Sequence, residues 1–222
     1  MDIQLIDTGF FHADGGAMFG AIPKTAWSRR YPSDEQNGCI LAMRTLLVRD
    51  GNGKIVLVDN GAGNKHLKQL SYYNFFDLVD LKEELQRRGV ACEEVTDIIL
   101  THLHFDHCGY TTQKEEQPDG KPLFKMAFPN ATHWVSRTQW ENFLHPNALE
   151  ADSYFIENMQ ATYDSGKLRL IESDTNLCPG IDLRLFDGHT PGQIAPYITT
   201  PERTYVLSLI HISEPTRLAL IS

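Results

Sequence analysis

Three histidines and a carboxylate lie within six residues of this chain, at His102, His104, Asp106 and His107. The chain has nine histidines in 222 residues, so chance does not explain this density. Imidazole nitrogens and carboxylate oxygens together bind borderline divalent cations such as zinc. The alternative, a polar loop after a strand, leaves many titratable groups crowded together. We therefore predict that all four residues are metal ligands.

The residues before the motif predict which of its side chains bind the first metal ion and which bind a second. Residues 97–100 form an apolar run, typical of a buried strand that ends at the edge of a sheet, where α/β proteins place their sites. Alternate side chains of an extended segment share a face, so His102 and His104 can bind one ion. If a helix begins near Asp106, then Asp106 and His107 point elsewhere. They suit a second ion about 3.5–4 Å from the first.

The motif resembles the H-x-H-x-D-H signature of the metallo-β-lactamase fold superfamily. The run from Gly188 through His189 to Gly192 matches the next ligand motif of that superfamily. Softer similarities to its quorum-quenching, acyl-homoserine lactonase-like branch lie at residues 14–24, 27, 57–63, 128–131 and 136–146. Together the resemblance covers most of residues 1–206. It implies an α/β fold, the four-layer αβ/βα sandwich, in which two sheets pack face to face between outer helices.

The resemblance also implies an activity, that of a zinc-dependent hydrolase with two zinc ions. Such an enzyme opens a small-molecule lactone or ester through a metal-bound hydroxide. The implied roles are a first ion on His102, His104 and His189, and a second ion that begins with Asp106 and His107. Asp106 is the expected catalytic residue, because it can also orient the attacking hydroxide. Other substrates of the same metals stay open, among them phosphotriesters, β-lactams and thioesters, as do an iron redox enzyme and an inactive fragment.

Four further residues are expected near the metal ligands, and three of them have two interpretations each. Asp59 ends a strand and begins a Gly-rich turn, and the resemblance places it behind the metal ligands. A ligating imidazole usually donates its other N–H to a carboxylate, which favours that role over a turn-forming aspartate. Met18 and Phe19 lie in a Gly-rich loop, where they either cover a substrate or anchor the loop in the core. Phe105, inside the motif, is the third residue expected in a substrate pocket.

Composition narrows the class of protein. The net charge of −9 argues against a nucleic-acid surface, because phosphates would be repelled. The apolar runs are too short to cross a bilayer, and the amino terminus lacks the pattern of a secretory signal. The four cysteines show no close pairing, so we expect reduced thiols and a cytoplasmic protein. Whether the chain forms a homodimer stays open.

Periodicity and turn signals predict alternating strands and helices. Residues 50–53 carry a hairpin signal, which joins the strands predicted at residues 39–49 and 54–58. Residues 111–121 are charged and contain Gly and Pro, which predicts a surface loop. The predicted elements are strands at residues 39–49, 54–58, 97–100, 168–171 and 181–186, and helices from Asn74 to Gly89, after Ser136 and over 153–163.

The last residues depart from the family pattern. Residues 207–217 read Leu-Ser-Leu-Ile-His-Ile-Ser-Glu-Pro-Thr-Arg, which resembles the conceptual translation of a transposase mosaic-end sequencing adapter. We therefore expect a truncated hydrolase domain over residues 1–206, with its second half incomplete, and a non-native tail over 207–222. The resemblance then implies that a metal-bridging Asp and a further His are missing. His211, in the tail, is not expected to be a ligand.

Overall fold

The computed structural model describes residues 1–20, 22–207 and the backbone of residues 219–221. His211 and most of the tail therefore lie outside the described residues, and the predicted domain boundary at residue 206 stays a prediction. Every helix in the described part of the chain falls short of the length and apolarity needed to cross a bilayer.

Helices and strands alternate along the described chain, as the sequence predicts for an α/β protein. The strands are β1 (Asp2–Asp14), β2 (Gly38–Arg49), β3 (Ile55–Val58), β4 (Asp97–Ile99), β5 (Thr112–Glu116), β6 (Pro122–Met126), β7 (Thr132–Ser136), β8 (Leu168–Ile171), β9 (Thr175–Cys178), β10 (Ile181–Phe186), β11 (Gln193–Thr199), β12 (Thr204–Val206) and β13 (Ala219–Ile221). The α-helices are α1 (Gly15–Phe19), α2 (Lys24–Trp27), α3 (Leu81–Arg87), α4 (Phe105–Cys108), α5 (Arg137–Leu144) and α6 (Gln160–Asp164).

Two large sheets contain eleven of these strands, and β5 and β6 form a separate two-stranded sheet. The first has six strands in the order β1-β2-β3-β4-β7-β8, and the second has five in the order β13-β12-β11-β10-β9. Strands β3, β4, β7 and β8 run parallel, so their carboxyl ends meet at one edge. The segments that follow β3 and β4 at this edge carry Asp59 and the histidine motif.

The core follows from the two-residue period of the central strands. Leu46, Val58 and Ile99 face the second sheet and pack with residues of β10 and β11. Their neighbours Leu47, Leu57 and Ile98 face the other way, against residues of α3 and α5. The described residues thus form a helical layer and two stacked sheets, which fits the predicted sandwich architecture.

The helix expected from Asn74 begins later than the sequence suggested. Asn74 and Asp77 both have left-handed backbone conformations, with φ of 45° and 48°, which interrupt a helix. The helix instead begins after Asp80, whose side chain accepts hydrogen bonds from the backbone N–H groups of Lys82 and Glu83. A cap with two N–H partners outweighs the apolar spacing that pointed to Asn74.

Two other local predictions were wrong. Residues 111–121 were expected to be a surface loop throughout, but Thr112–Glu116 form β5, which pairs with β6 in an antiparallel hairpin. The continuous helix expected over residues 153–163 is divided into short 3₁₀ turns, Ala151–Ser153 and Ile156–Asn158, followed by α6. Between these turns Phe155 is buried, and Tyr154 makes side-chain hydrogen bonds beside the histidine motif. Tertiary contacts therefore override the local helical pattern.

Gly109 allows the end of α4 to pack against the turn after β3. A Cβ at this position would lie 2.1 Å from the carbonyl oxygen of Ala62 and 2.5 Å from that of Phe105. Both neighbours are backbone atoms, so neither can move away without shifting the turn. The close approach also allows the Asn60 N–H to bond the carbonyl of His107 at 2.8 Å.

We expect Gly109→Ala to lower the free energy of unfolding by about 1–3 kcal/mol or more, because the added methyl group overpacks two backbone segments. The matched control is Gly16→Ala, whose Cβ has side-chain atoms of Asp14 and Asn37, and no backbone atom, as its three nearest neighbours. That exposed control should change stability by no more than about 0.5 kcal/mol. Chemical denaturation measures both values. Equal stability of the two variants would contradict the packing argument.

Candidate metal centre

Three imidazoles converge on one point at the carboxyl edge of the first sheet. The Nδ1 atom of His104 lies 3.1 Å from Nε2 of His102 and 3.1 Å from Nε2 of His189. One nitrogen of each ring lies within 4.8 Å of the other two. His102 and His104 are buried and His189 is exposed. The sequence prediction that these three residues approach one another therefore agrees with the geometry.

The surroundings of the three rings favour neutral imidazoles. Burial, together with the neighbouring histidines, lowers the pKa of His102 well below its ordinary value. Burial lowers the pKa of His104 to about 4, although Asp106 opposes the shift, and burial also lowers the pKa of His189. A neutral imidazole keeps the nitrogen lone pair that a metal ion requires.

Two separate segments position these rings. His102 and His104 follow β4, where the Thr101 carbonyl accepts a hydrogen bond of 2.8 Å from the backbone N–H of Ile194 in β11. This bond connects the second sheet to the motif. His189 lies in the turn between β10 and β11, held by a bond from the Gly192 N–H to the Asp187 carboxylate.

Asp106 and His107 form a second pair beside the first three ligands. The Nε2 atom of His107 lies 3.1 Å from the Asp106 carboxylate, and the His107 ring centroid is 4.0 Å from that of His102. Although burial opposes both shifts, mutual attraction lowers the pKa of Asp106 to about 2, and Asp106 with Asp59 raises the pKa of His107 to about 10. The helix α4 begins at Phe105 and carries Asp106 and His107 in its first turn, beside the extended pair and with the His107 ring close to that of His102.

Asp59 lies directly behind the histidines. Its carboxylate accepts hydrogen bonds from Nδ1 of His107 at 2.8 Å and from the Thr101 hydroxyl and backbone N–H. The Thr101 oxygen is also 3.2 Å from Nδ1 of His102. Asp59 therefore contacts one predicted ligand directly and reaches a second through Thr101. These contacts go beyond the alternative of a turn residue that bonds its own backbone.

The three residues expected in a substrate pocket are placed differently. Phe19 is 4% exposed and stacks on Trp27 at a centroid distance of 4.4 Å, so it anchors its loop. Phe105 is 3% exposed and packs in an aromatic cluster with Phe11. Met18 is partly buried against the same clusters. Contact of these residues with a substrate stays a prediction.

A polar network beside His104 was missed by the sequence analysis. Glu150 Oε2 accepts hydrogen bonds from Tyr154 at 2.7 Å, Thr190 at 2.8 Å and Asn142 at 2.8 Å. Although burial opposes ionisation, these bonds and one from Asn147 lower the pKa of Glu150 to about 2. The residues come from different segments and share no motif. Only the position of Thr190, next to His189, gave a signal in the sequence.

Comparison with known proteins agrees with this geometry. The family model of the Metallo-beta-lactamase superfamily matches residues 44–110, which include β3, β4 and the histidine motif. The segment over residues 44–110 thus matches a metallo-beta-lactamase domain. The resemblance inferred from the sequence is thereby confirmed.

The relatives of this metallo-beta-lactamase domain include N-acyl homoserine lactonases. The AiiA lactonase of Bacillus thuringiensis subsp. kurstaki is 30% identical over 129 residues, which are 58% of this chain and 43% of that protein. The lactonase of Bacillus cereus is 29% identical over the same length and shares of each chain. The matched segment thus spans less than half of these curated relatives.

Solved structures share the fold over a longer range. The crystal structure of a probable metal-dependent hydrolase from Staphylococcus aureus has a TM-score of 0.82 and 28% identity, covering 92% of this chain and 71% of that chain. An N-acyl homoserine lactone hydrolase, with N-hexanoyl-L-homoserine bound at its catalytic metal center, has a TM-score of 0.66 and 22% identity. That match covers 92% of this chain and 73% of the hydrolase, and at this identity it shows the fold alone.

The domain family implies a divalent metal, and the residues present fit one. Three imidazole nitrogens face each other at 3.1 Å contacts, where protons cannot satisfy all of them. A carboxylate and a fourth imidazole lie alongside. Nitrogen and oxygen donors in this combination suit zinc, and they also suit iron or manganese.

Asp59→Asn should weaken metal binding by about 10–100-fold, because the amide N–H₂ group would face another donor, either Thr101 or His107. Competition against a chromophoric chelator measures the affinity. The matched control is Asp97→Asn, another buried carboxylate of the same sheet, which pairs with Lys54 and Trp134. The control should lose stability and keep its metal affinity. Equal metal affinity in both variants would remove Asp59 from the metal centre.

Proposed function

We propose that this chain is a metal-dependent hydrolase that opens a lactone or ester, with an N-acyl homoserine lactone as the preferred substrate class. The observation that carries the proposal is the convergence of His102, His104 and His189 beside the pair of Asp106 and His107. The lactonase relatives support the choice of substrate. The predicted number of metals, two zinc ions, is part of the proposal.

The proposed ligand atoms follow from the contacts. Nε2 of His102, Nδ1 of His104 and Nε2 of His189 would hold the first ion, and Asp106 with His107 would begin the second site. Bound zinc would supply a Lewis acid, which polarises a carbonyl and lowers the pKa of water to about 7. The protein must then position a substrate carbonyl and a water molecule on the same side of the cluster.

Asp106 is the residue best placed to orient the attacking water. Its side chain is 19% exposed, and one carboxylate oxygen lies 3.1 Å from His107, which leaves the other free of that contact. At neutral pH the low pKa of Asp106 keeps the group ionised, and it can accept a hydrogen bond from water and later a proton at its free oxygen. Asp106 is therefore both a proposed metal ligand and the proposed catalytic residue.

A cavity beside the metal centre suits the apolar part of such a substrate. Its volume is about 630 Å³, and its walls include Leu70, Phe143, Phe155 and Ile156. Tyr154 also lines it, and the Tyr154 ring lies 4.9 Å from the ring of His104. An acyl chain in this cavity would place its carbonyl end toward the histidines. A hydrocarbon tail gains stability here by leaving water.

The cellular setting is also a proposal. The four cysteines are unpaired and buried, which is compatible with the reducing cytoplasm expected from the sequence. The acidic composition supports a small-molecule substrate over nucleic acid or an anionic membrane surface.

A substrate panel tests the proposed reaction. We expect zinc-loaded protein to open N-acyl homoserine lactones with a kcat/KM at least about tenfold above that for phosphotriester, β-lactam and thioester substrates, a difference of about 1.4 kcal/mol in barrier. The His189→Ala variant, prepared in parallel, identifies contaminating activity. Elemental analysis distinguishes zinc from iron. A preference for any of the other three substrates would overturn the proposed substrate class.

Asp106→Asn should keep the fold and lower kcat by about 10²–10⁴-fold, since the amide cannot accept a proton and is a poorer metal ligand. The measurement is steady-state lactone hydrolysis at saturating zinc, with circular dichroism to verify folding. Asp119→Asn, an exposed aspartate of the β5–β6 hairpin, is the control and should keep the parent rate. Parent turnover in the Asp106 variant would refute its catalytic role.

A further inference from the structure

Two of the clustered histidines have their outer nitrogen occupied by a partner. His107 donates from Nδ1 to Asp59 at 2.8 Å. The Thr101 hydroxyl can donate to Asp59 and accept from Nδ1 of His102 at 3.2 Å. At His102 this places the proton on the outer nitrogen, so the inner nitrogen keeps its lone pair, whereas the inner Nε2 of His107 faces the Asp106 carboxylate at 3.1 Å. A fixed proton position of this kind is typical of metal-binding histidines.

His104 is turned the other way. Its Nδ1 faces the cluster, so a metal at that atom requires the proton to be on Nε2. This Nε2 is shielded from solvent and has no hydrogen-bond partner among the described residues. A buried N–H without an acceptor costs about 1–3 kcal/mol. The arrangement therefore needs an acceptor close to Nε2 of His104.

Glu150 provides the nearest charged acceptor. Its Oε2 lies 3.6 Å from Nε2 of His104, a few tenths of an ångström beyond the usual hydrogen-bond range. Small movements in metal sites shorten such contacts, because a bound cation makes the ring N–H a stronger donor. Oε2 already accepts from Asn142, Tyr154 and Thr190, so the N–H of His104 would bond to it in place of one of these donors.

The position of Glu150 is fixed from three directions. Asn142 reaches it from α5, Tyr154 from the turn after residue 153, and Thr190 from the loop of His189. The Thr190 contact connects Glu150 to the segment that carries the third proposed ligand. Gln139 donates to the Thr190 hydroxyl and to the carbonyl of Pro191, which holds the same loop in place.

We propose that Glu150 is a positioning residue, whose carboxylate fixes the proton of His104 on Nε2 and thereby prepares Nδ1 for the first metal. The inference rests on the metal site of the proposed function and not on the choice of substrate. Through Thr190, Glu150 also couples the orientation of His104 to that of the His189 loop. Loss of Glu150 should therefore weaken the first site without removing a ligand.

Zinc affinity and the ring N–H of His104 test this role in the full chain. The affinity is measured by chelator competition, and the ring N–H by long-range ¹H–¹⁵N correlation of the zinc-loaded protein. Glu150→Ala should weaken zinc binding by about 10–100-fold and broaden the His104 N–H resonance through exchange. Glu150→Gln should fall between the parent and the Ala variant and move the resonance upfield, because a neutral carbonyl is a weaker acceptor.

Controls separate this role from a merely structural one. Glu141→Gln changes an exposed glutamate of α5 and should leave both readouts unchanged. Tyr154→Phe removes one hydrogen bond from Glu150 but keeps the carboxylate, so the N–H resonance should persist. If Glu150→Ala does not fold, the zinc affinity and the His104 N–H resonance of Glu150→Gln test the role, since this variant preserves the volume and an acceptor oxygen.

The outcomes distinguish the two proposals. Parent-like zinc affinity and an unchanged His104 N–H in the Glu150 variants would overturn the role of Glu150 and leave the metal site intact. A parent protein that takes up no zinc would overturn the metal site and this inference together. Weak zinc binding in the Glu150 variants, with no change in lactone preference of the zinc-saturated protein, would support both.

Discussion

The buried carboxylate of Asp59 fixes the relative positions of His102, which it reaches through Thr101, and His107, which it contacts directly. Asp59 is 1% exposed and has a left-handed backbone conformation with φ of 55°, which a residue other than glycine adopts at a cost of about 1–2 kcal/mol. This turn places the Asp59 carboxylate beside the segment that follows β4, where Thr101 and His107 donate hydrogen bonds to it. A backbone bond from Asp59 to the carbonyl of Ile99 holds the turn against β4. The hydrogen bonds of the buried Asp59 carboxylate with Thr101 and His107 offset the cost of its left-handed backbone conformation.

The same arrangement suits the binding of a cation. Outer acceptors hold the protons of His102 and His107 away from the cluster, and burial disfavours imidazolium at His102 and His104. The inner nitrogens of His102 and His104 lie 3.1 Å apart, close enough for a divalent ion to take both as ligands. Since the unfolded chain cannot assemble these ligands, the binding free energy of the ion adds to the stability of the fold. Metal affinity and folding stability are thus coupled in this domain.

The sequence predicted the parts of the site that depend on neighbouring residues. The spacing of His102 and His104 suits an extended segment, and a helix that begins near Asp106 assigns Asp106 and His107 to the second proposed site. Continuous apolar runs likewise predicted β3 and β4 as buried strands. Glu150 could not be found this way, because its contacts with His104 and Thr190 arise from tertiary packing of segments that lie far apart in the chain. The helix expected over residues 153–163 was wrong for the same reason, since Tyr154 and Phe155 follow tertiary contacts and not helical spacing.

One short segment contributes to both metal binding and substrate binding in the proposed enzyme. Glu150 approaches His104, while Phe155 and Ile156 line the cavity that suits an acyl chain. Tyr154 has both functions, because its hydroxyl donates to Glu150 and its ring forms part of the cavity wall. A change that enlarges the cavity by moving this segment would also shift the carboxylate from His104. Specificity for the substrate tail is therefore constrained by the geometry of the first metal site. Ile156 is partly exposed, and its apolar side chain makes no hydrogen bond to Glu150. Substitutions at Ile156 should therefore change the preferred tail with the least effect on the metal site.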